Sequence, residues 1–518
     1  MTDAARPAQA KPLFSKGYSG WVLTLLLLAY TFNFIDRTII ATIGQAIKVD
    51  LKLTDAQLGL LGGFSFAVLY TILGIPIARL AERWNRVSII AVALVLWSGF
   101  TALCGTATSF VQLLGYRVGV GIGEAGCSPP AHSLISDYYE PKKRATALSI
   151  YSFGIPLGTM VGAVAGGWLA QHLSWRLAFI VVGAPGLLMA LVVKLVIKEP
   201  PRGHSEPPVH PALPGDVTPD ASLAFEAAPA PRFSLATEFK EIGAVMAALF
   251  GKWPVLNMVL GVTIASFGSY GSGQFAPPYF IRAFGLNYTQ VGLIIGLIGG
   301  ASAGLGTLAG GFVTDWASKR SPRWYALVPC IGLAIATPIY IAAYCQLNWK
   351  IAAAILLVPG IFHYTYLGPT FGVVQNMVPT WRRATATALL FFFLNFIALG
   401  FGPPFTGWVI DHFAAFGFTH PDAGFFQAAS GAAKGMAGAF VHHAADPQGF
   451  LATCPGGSAI KGAAAATAAH CKSTLVLATR RGIIVSLCFY AWASVHYLLA
   501  SFGLAKALSK ARADRGEG

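Results

Sequence analysis

Charge is what this chain has least of. Asp, Glu, Lys and Arg make up 11% of its 518 residues, where soluble domains carry about 25%. With 55% hydrophobic residues and a mean hydropathy of +0.61, it cannot cover a water-facing surface and reads as an integral membrane protein. The 21 acidic residues are outnumbered by 36 basic ones. That excess would suit nucleic acid if it ran along one face. It falls instead in short blocks between apolar runs, so no nucleic-acid partner is expected. Of its seven cysteines, Cys104, Cys127, Cys330, Cys345 and Cys488 fall in apolar runs and read as small core residues. The polar start, MTDAARPAQAKPLFSKGYSG, has no cleavable-signal pattern, so the first apolar run is expected to be retained. The chain has no P-loop lysine, which argues against ATP-driven work. Gly119-x-Gly121-x-Gly123 lies inside an apolar run with no strand before it, so a dinucleotide reading fails. No enzyme is expected. The short alternating segments of a β-barrel are missing too.

What is present is long apolar runs, each able to cross a bilayer as a helix of about 20 residues. Twelve are expected, at 20–45, 56–80, 87–107, 110–137, 145–171, 176–197, 254–283, 288–315, 324–346, 349–378, 384–411 and 474–505. The bias of Lys and Arg sets the orientation. Arg79, Arg83 and Arg86, then Lys142 to Arg144, then Lys319, Arg320 and Arg323, then Arg382 and Arg383 fall in alternate short loops. Both termini are therefore expected in the cytoplasm of a cell inner membrane. The organisation follows: a tail at 1–19, a six-helix half at 20–198, a linker at 199–250, a second half at 251–505 and a tail at 506–518. Nine prolines between Glu199 and Arg232 forbid a packed helix there. From Phe233 to Phe250 apolar and charged residues recur at helical spacing. That suggests an amphipathic helix on the inner membrane surface or a helical extension of the linker.

The halves repeat. Ala78-x3-Glu82-x3-Arg86 answers Gly311-x3-Asp315-x3-Lys319 at an offset of 233. Arg144-Ala-Thr-Ala answers Arg383-Ala-Thr-Ala at 239, and Gly167-Trp168 answers Gly407-Trp408 at 240. Parallel duplication of this kind places a binding site between the halves near the midplane. The fold class is thus an all-α membrane protein of two pseudo-symmetric six-helix halves.

These motifs resemble the major facilitator superfamily over nearly the whole chain. Asn33-Phe-Ile-Asp36-Arg37, Glu82-Arg83-Trp-Asn85-Arg86 and Arg117-Val-Gly-Val-Gly121-Ile-Gly123-Glu124 are similar to its Spinster branch. Animal members of that branch export sphingosine-1-phosphate or lysophospholipids. Glu82 stands where the superfamily more often has Asp, and Ala78 where it has Gly. The resemblance implies that Glu82, Arg83, Arg86, Asp315, Lys319 and Arg383, joined by Asp137 and Arg144, latch the halves at the cytoplasmic side.

Charges inside spans are the candidates for chemistry. Each costs about 3 kcal/mol at the bilayer centre by insertion scales, so such residues face a bundle interior and mark function. Asp36 and Arg37 in span 1 and Arg117 and Glu124 in span 4 are expected to meet. A carboxylate held between desolvation and a nearby arginine is a proton carrier; the competing reading is a permanent structural ion pair. Asn33, Tyr270, Gln274, His363, Tyr364, Tyr366, Phe391 and Asn395 are candidates to line a cavity. Gly154-x3-Gly158-x3-Gly162-x3-Gly166 offers a smooth face for close packing or for rocking. The loop 413–473 is expected outside, where Cys454 and Cys471 are a candidate disulfide; its histidines read as solvated, with no metal site. The combined expectation is a proton-coupled secondary transporter of an amphiphilic, lipid-like substrate. It would work as a monomer among membrane lipids, with the proton as coupling ion and no resident cofactor. The alternatives are a drug/proton antiporter, an organic-acid symporter, a receptor or a passive scramblase.

Overall fold

The computed structural model describes residues 14–81, 83–202, 235–378, 383–442 and 448–513. Glu82, Arg382, His443 and most of the proline-rich linker lie outside the described residues, as do the side chains of Arg383 and His442. Among the described residues, eleven helices are long and apolar enough to cross a membrane. The remaining crossing, span 4, is two short helices, Phe110–Glu124 and Ser128–Tyr138. Pro129 and Pro130 have no N–H to give the preceding turn, so the ladder stops at Glu124. That break puts a carboxylate at the end of a helix in the middle of the span.

Spans 1 to 6 share one buried cluster and spans 7 to 12 another. Several spans are interrupted. Span 2 joins Asp55–Gly62 to Phe64–Ala81. Span 8 has a π-helical turn at Ile298–Ser302, and span 11 has one at Phe393–Leu399. Span 10 narrows to a 3-10 turn at Tyr364–Tyr366. Such local departures concentrate at functional positions in helical proteins. The helix Leu235–Phe250 forms, and buries Val245 and Leu249 in the second cluster.

Glycine sets the helix contacts. A Cβ on Gly121 would stand 2.5 Å from the Phe66 carbonyl, and one on Gly123 2.5 Å from the Trp97 nitrogen. The Gly119–Gly123 run is therefore where span 4 presses on spans 2 and 3. The ladder Gly154–Gly166 packs against span 1, at Thr31, Ile35 and Ile39. It lies inside the first half, so it is no rocking surface between halves. That role falls to Gly167 and Gly292. A Cβ on Gly167 would meet the Tyr288 carbonyl at 2.3 Å, and one on Gly292 the Ala163 carbonyl at 2.3 Å.

Among the described residues the halves close tightly on each other at one end. At the end away from the basic loops, called here the far end, Gly59 meets the Pro403 backbone and Gly407 meets that of Asp55. At the basic end several charges pair within the first half. Arg86 bonds Asp137 (2.5 Å) and Glu199 (2.6 Å), and Arg144 donates to the Ser136 carbonyl (2.9 Å). Asp315, Lys319 and Arg83 are exposed. Arg86, Asp137 and Glu199 thus form a knot tying spans 3 and 4 to the segment after span 6; the latch implied by resemblance belongs to the opposite state, in which the far end is open.

Candidate functional site

The intramembrane charges of the first half come together. Arg37 Nε donates to Glu124 Oε2 at 2.7 Å, across spans 1 and 4. The Glu124 side chain is fully buried while that of Arg37 keeps 19% of its surface. Its second oxygen, Oε1, has no hydrogen-bond partner. Asp36 accepts from Thr101 Oγ1 of span 3 at 3.0 Å and is buried beside the same cluster. Arg117 donates to the Leu61 carbonyl at 3.3 Å, and one of its terminal nitrogens is left without a partner. It acts electrostatically on both carboxylates. Asn33, one turn before Arg37, is buried with its amide oxygen unpartnered.

Sequence reasoning missed the aromatic seat of these charges. The Arg37 guanidinium lies 4.6 Å from the centroids of both Phe66 and Tyr70 and 5.0 Å from Phe34. Arg117 lies 5.8 Å from Phe66. Phe66 therefore serves two arginines, each contact contributing about 1–2 kcal/mol when desolvated. Nothing in the linear order of span 2 signals this, since Phe66 reads as one more apolar residue. Thr101 was missed for the same reason.

The second half holds a different interior. His363 is 1% exposed. Its ring centroid lies 4.4 Å from Tyr364, 4.4 Å from Tyr490, 5.5 Å from Tyr366 and 6.0 Å from Tyr340. Tyr340 Oη stands 3.4 Å from its Nδ1, while Nε2 has no partner. Tyr270 is 39% exposed and senses Arg37 and Tyr70 from one half and Tyr364 from the other. It marks the space between the two sites. Phe391 is exposed and packs on Phe371.

The other cavity candidates have the following neighbours. Tyr366 is buried, with its hydroxyl 3.0 Å from Ser266 Oγ, and belongs to the packed interior. Asn395 spends its amide on the Phe391 carbonyl one turn back. Gln274 lies against Gly62 at the contact between the halves, where the missing Cβ leaves it room.

The far-end closure was not anticipated at all. Arg282 of span 7 donates to Asp55 (2.6 Å), Gln45 (2.7 Å) and Thr479 (2.7 Å). Lys48 reaches Asp55 at 2.7 Å. Asp411 of span 11 accepts from the backbone N–H groups of Asp55 and Ala56 at 2.9 and 2.8 Å, capping a helix of the other half. Burial draws the Lys48 pKa below the ordinary lysine value; Asp55 opposes this and Arg282 adds to it. Cys454 and Cys471 are joined in a disulfide beside this closure. Asp55, Arg282 and Asp411 lie at the ends of runs, where a charge reads as solvated; only cross-half pairing makes them a gate.

The chain is thus a two-half helical bundle shut at one end, with a buried charge cluster in one half and a buried histidine–tyrosine cluster in the other, and its relatives are transporters rather than enzymes. The sequence pattern of the Major Facilitator Superfamily matches residues 26–403, and the chain belongs to that family. Within it the likeness is to the Spinster branch. A solved bacterial homolog to the human lysosomal transporter Spinster, inward-facing and unoccupied, is 33% identical with a TM-score of 0.75; the match covers 96% of this chain and 99% of that one. An MFS-type efflux pump of Mycolicibacterium smegmatis is 31% identical over 393 residues, 75% of this chain and 83% of that protein. The hexuronate transporter of Bacillus subtilis is 25% identical over 402 residues, 76% and 89% of the two chains.

Proposed function

We propose that the protein is a proton-coupled exporter of an amphiphilic, lipid-like molecule. It works as a monomer in a cell inner membrane, with the basic end and both termini in the cytoplasm. The observation that carries this reading is the Arg37–Glu124 pair: a fully buried carboxylate with one free oxygen, held by an arginine that is itself partly exposed. A proton on Glu124 cancels its charge and releases Arg37. Loss of the proton restores the pair. Asp36, close enough to repel Glu124, makes one proton shared between two carboxylates the economical state. Alternating access exposes this cluster first to one side and then to the other. The cargo lies between the charged half and the His363 pocket, with apolar contact from Tyr270 and Phe391.

Purified protein in liposomes tests the reading. A proton gradient should drive uphill flux of a lysolipid-like substrate, a protonophore should collapse it, and Glu124→Gln should remove it. Accumulation against a gradient also separates a transporter from a receptor or a passive scramblase. Flux that ignores pH in both proteins would end the proton reading.

A second reading, organic-acid symport, draws on the unpartnered nitrogen of Arg117 and on the relative that is named for hexuronate. Thermal-shift titration with lysolipids and with hexuronates discriminates the two: stabilisation by the sugar acid alone favours symport.

A further inference from the structure

We infer that the disulfide-closed loop before span 12 is a strap that holds the far-end gate shut. Cys471 lies near the start of span 12, Ala465–Ser501, in the second half. The disulfide to Cys454 closes a 17-residue separation and fixes the turn Pro455–Gly457 to that helix. The turn reaches across to the first half. A Cβ on Gly456 would stand 3.0 Å from the Lys48 carbonyl and 3.3 Å from the Lys52 Cα. A Cβ on Gly457 would stand 3.6 Å from Lys48 Cε and 2.4 Å from Cδ2 of Leu475 in span 12. Both glycines have positive φ, 67° and 87°, which L side chains rarely adopt. The chain thus spends two special backbone positions on seating this turn against Lys48.

Lys48 belongs to the gate. Its ammonium bonds Asp55, which Arg282 of the other half holds. The strap therefore acts twice. It bridges the halves directly, and it covers the lysine of the ion network. Covering Lys48 keeps water from competing for Asp55, at the desolvation cost that lowers the Lys48 pKa. Without the disulfide, the turn hangs on a long loop and its effective concentration at the gate falls. Opening the far end requires the turn to leave Lys48, so the strap biases the transporter toward the state seen here. The inference rests on alternating access but not on proton coupling or cargo.

The test measures far-end separation in nanodiscs by pulsed electron resonance. Spin labels go on cysteines at Leu173 and Leu347, exposed far-end positions of the two halves. The five free cysteines are replaced, and Arg282→Ala serves as the gate-opening control. Cys454→Ser/Cys471→Ser should move the distance distribution toward the longer, open population. Gly456→Val, which keeps the disulfide but unseats the turn, should do the same. If Arg282→Ala lengthens the distance and both strap variants leave it unchanged, the strap is refuted while alternating access stands. If none of the three lengthens it, the far end does not open and both readings fall.

Discussion

In the first half, Asp36, Arg37, Arg117 and Glu124 gather around spans 1 and 4 on an aromatic seat. In the second, the interior around span 10 is one histidine among four tyrosines. The duplication preserved the backbone plan and the loop motifs but not this chemistry. A half with net-neutral paired charges can change protonation without repacking. A half of aromatic rings and one imidazole can adapt to an apolar molecule while offering a single polar contact. On the function proposed above, the difference is a division of labour: coupling in the first half, cargo recognition in the second.

The largest effect expected is from Glu124→Gln. It should abolish flux driven by a pH gradient and leave cargo exchange without a gradient intact. Loss of exchange as well, in a protein that still folds, would break the division. Arg86→Ala should follow, because it strands Asp137 and Glu199. Breaking a buried pair costs about 3–5 kcal/mol. A fall in melting temperature with unchanged cargo affinity is the expected readout, and a loss of affinity at native stability would return Arg86 to the transport path.

His363→Ala should weaken cargo binding about tenfold, the equivalent of one good polar contact. Its proton-to-cargo ratio in liposomes should not move. A changed ratio would make the histidine a coupling residue and erase the contrast between halves. The smallest effect is expected from Thr101→Val, which removes the hydrogen bond to Asp36. At about 1 kcal/mol, it should slow proton-driven flux severalfold while leaving binding alone. An effect as large as that of Glu124→Gln would move the main proton site to Asp36.

Much of this was legible in the sequence. Eleven of the twelve runs appear as helices that meet the length and hydropathy of a crossing, because twenty apolar residues have no other stable state in lipid. The broken span 4 was legible as a run but not as two helices, although Pro129 and Pro130 signalled the break. Arg37 and Glu124 were found because a charge in an apolar run is conspicuous. Phe66, Tyr70 and Tyr490 were not, because an aromatic in such a run is ordinary. The gate was invisible for the opposite reason. Asp55, Arg282 and Asp411 sit at run ends, where charges normally meet water, and their partners across the halves are more than 200 residues away.

Sequence alone determined the membrane class, the duplicated plan and which side chains are too costly to face lipid. Those properties are sums over local composition, and a bilayer punishes exceptions one residue at a time. Tertiary structure decided which end is shut, that Gly167 rather than the Gly154–Gly166 ladder lies between the halves, and that Arg86 knots spans 3 and 4 to the segment after span 6. Those outcomes depend on which surfaces meet across the midline. Contact between halves is set by small differences among packings that share the same apolar runs, so only the assembled bundle reveals it.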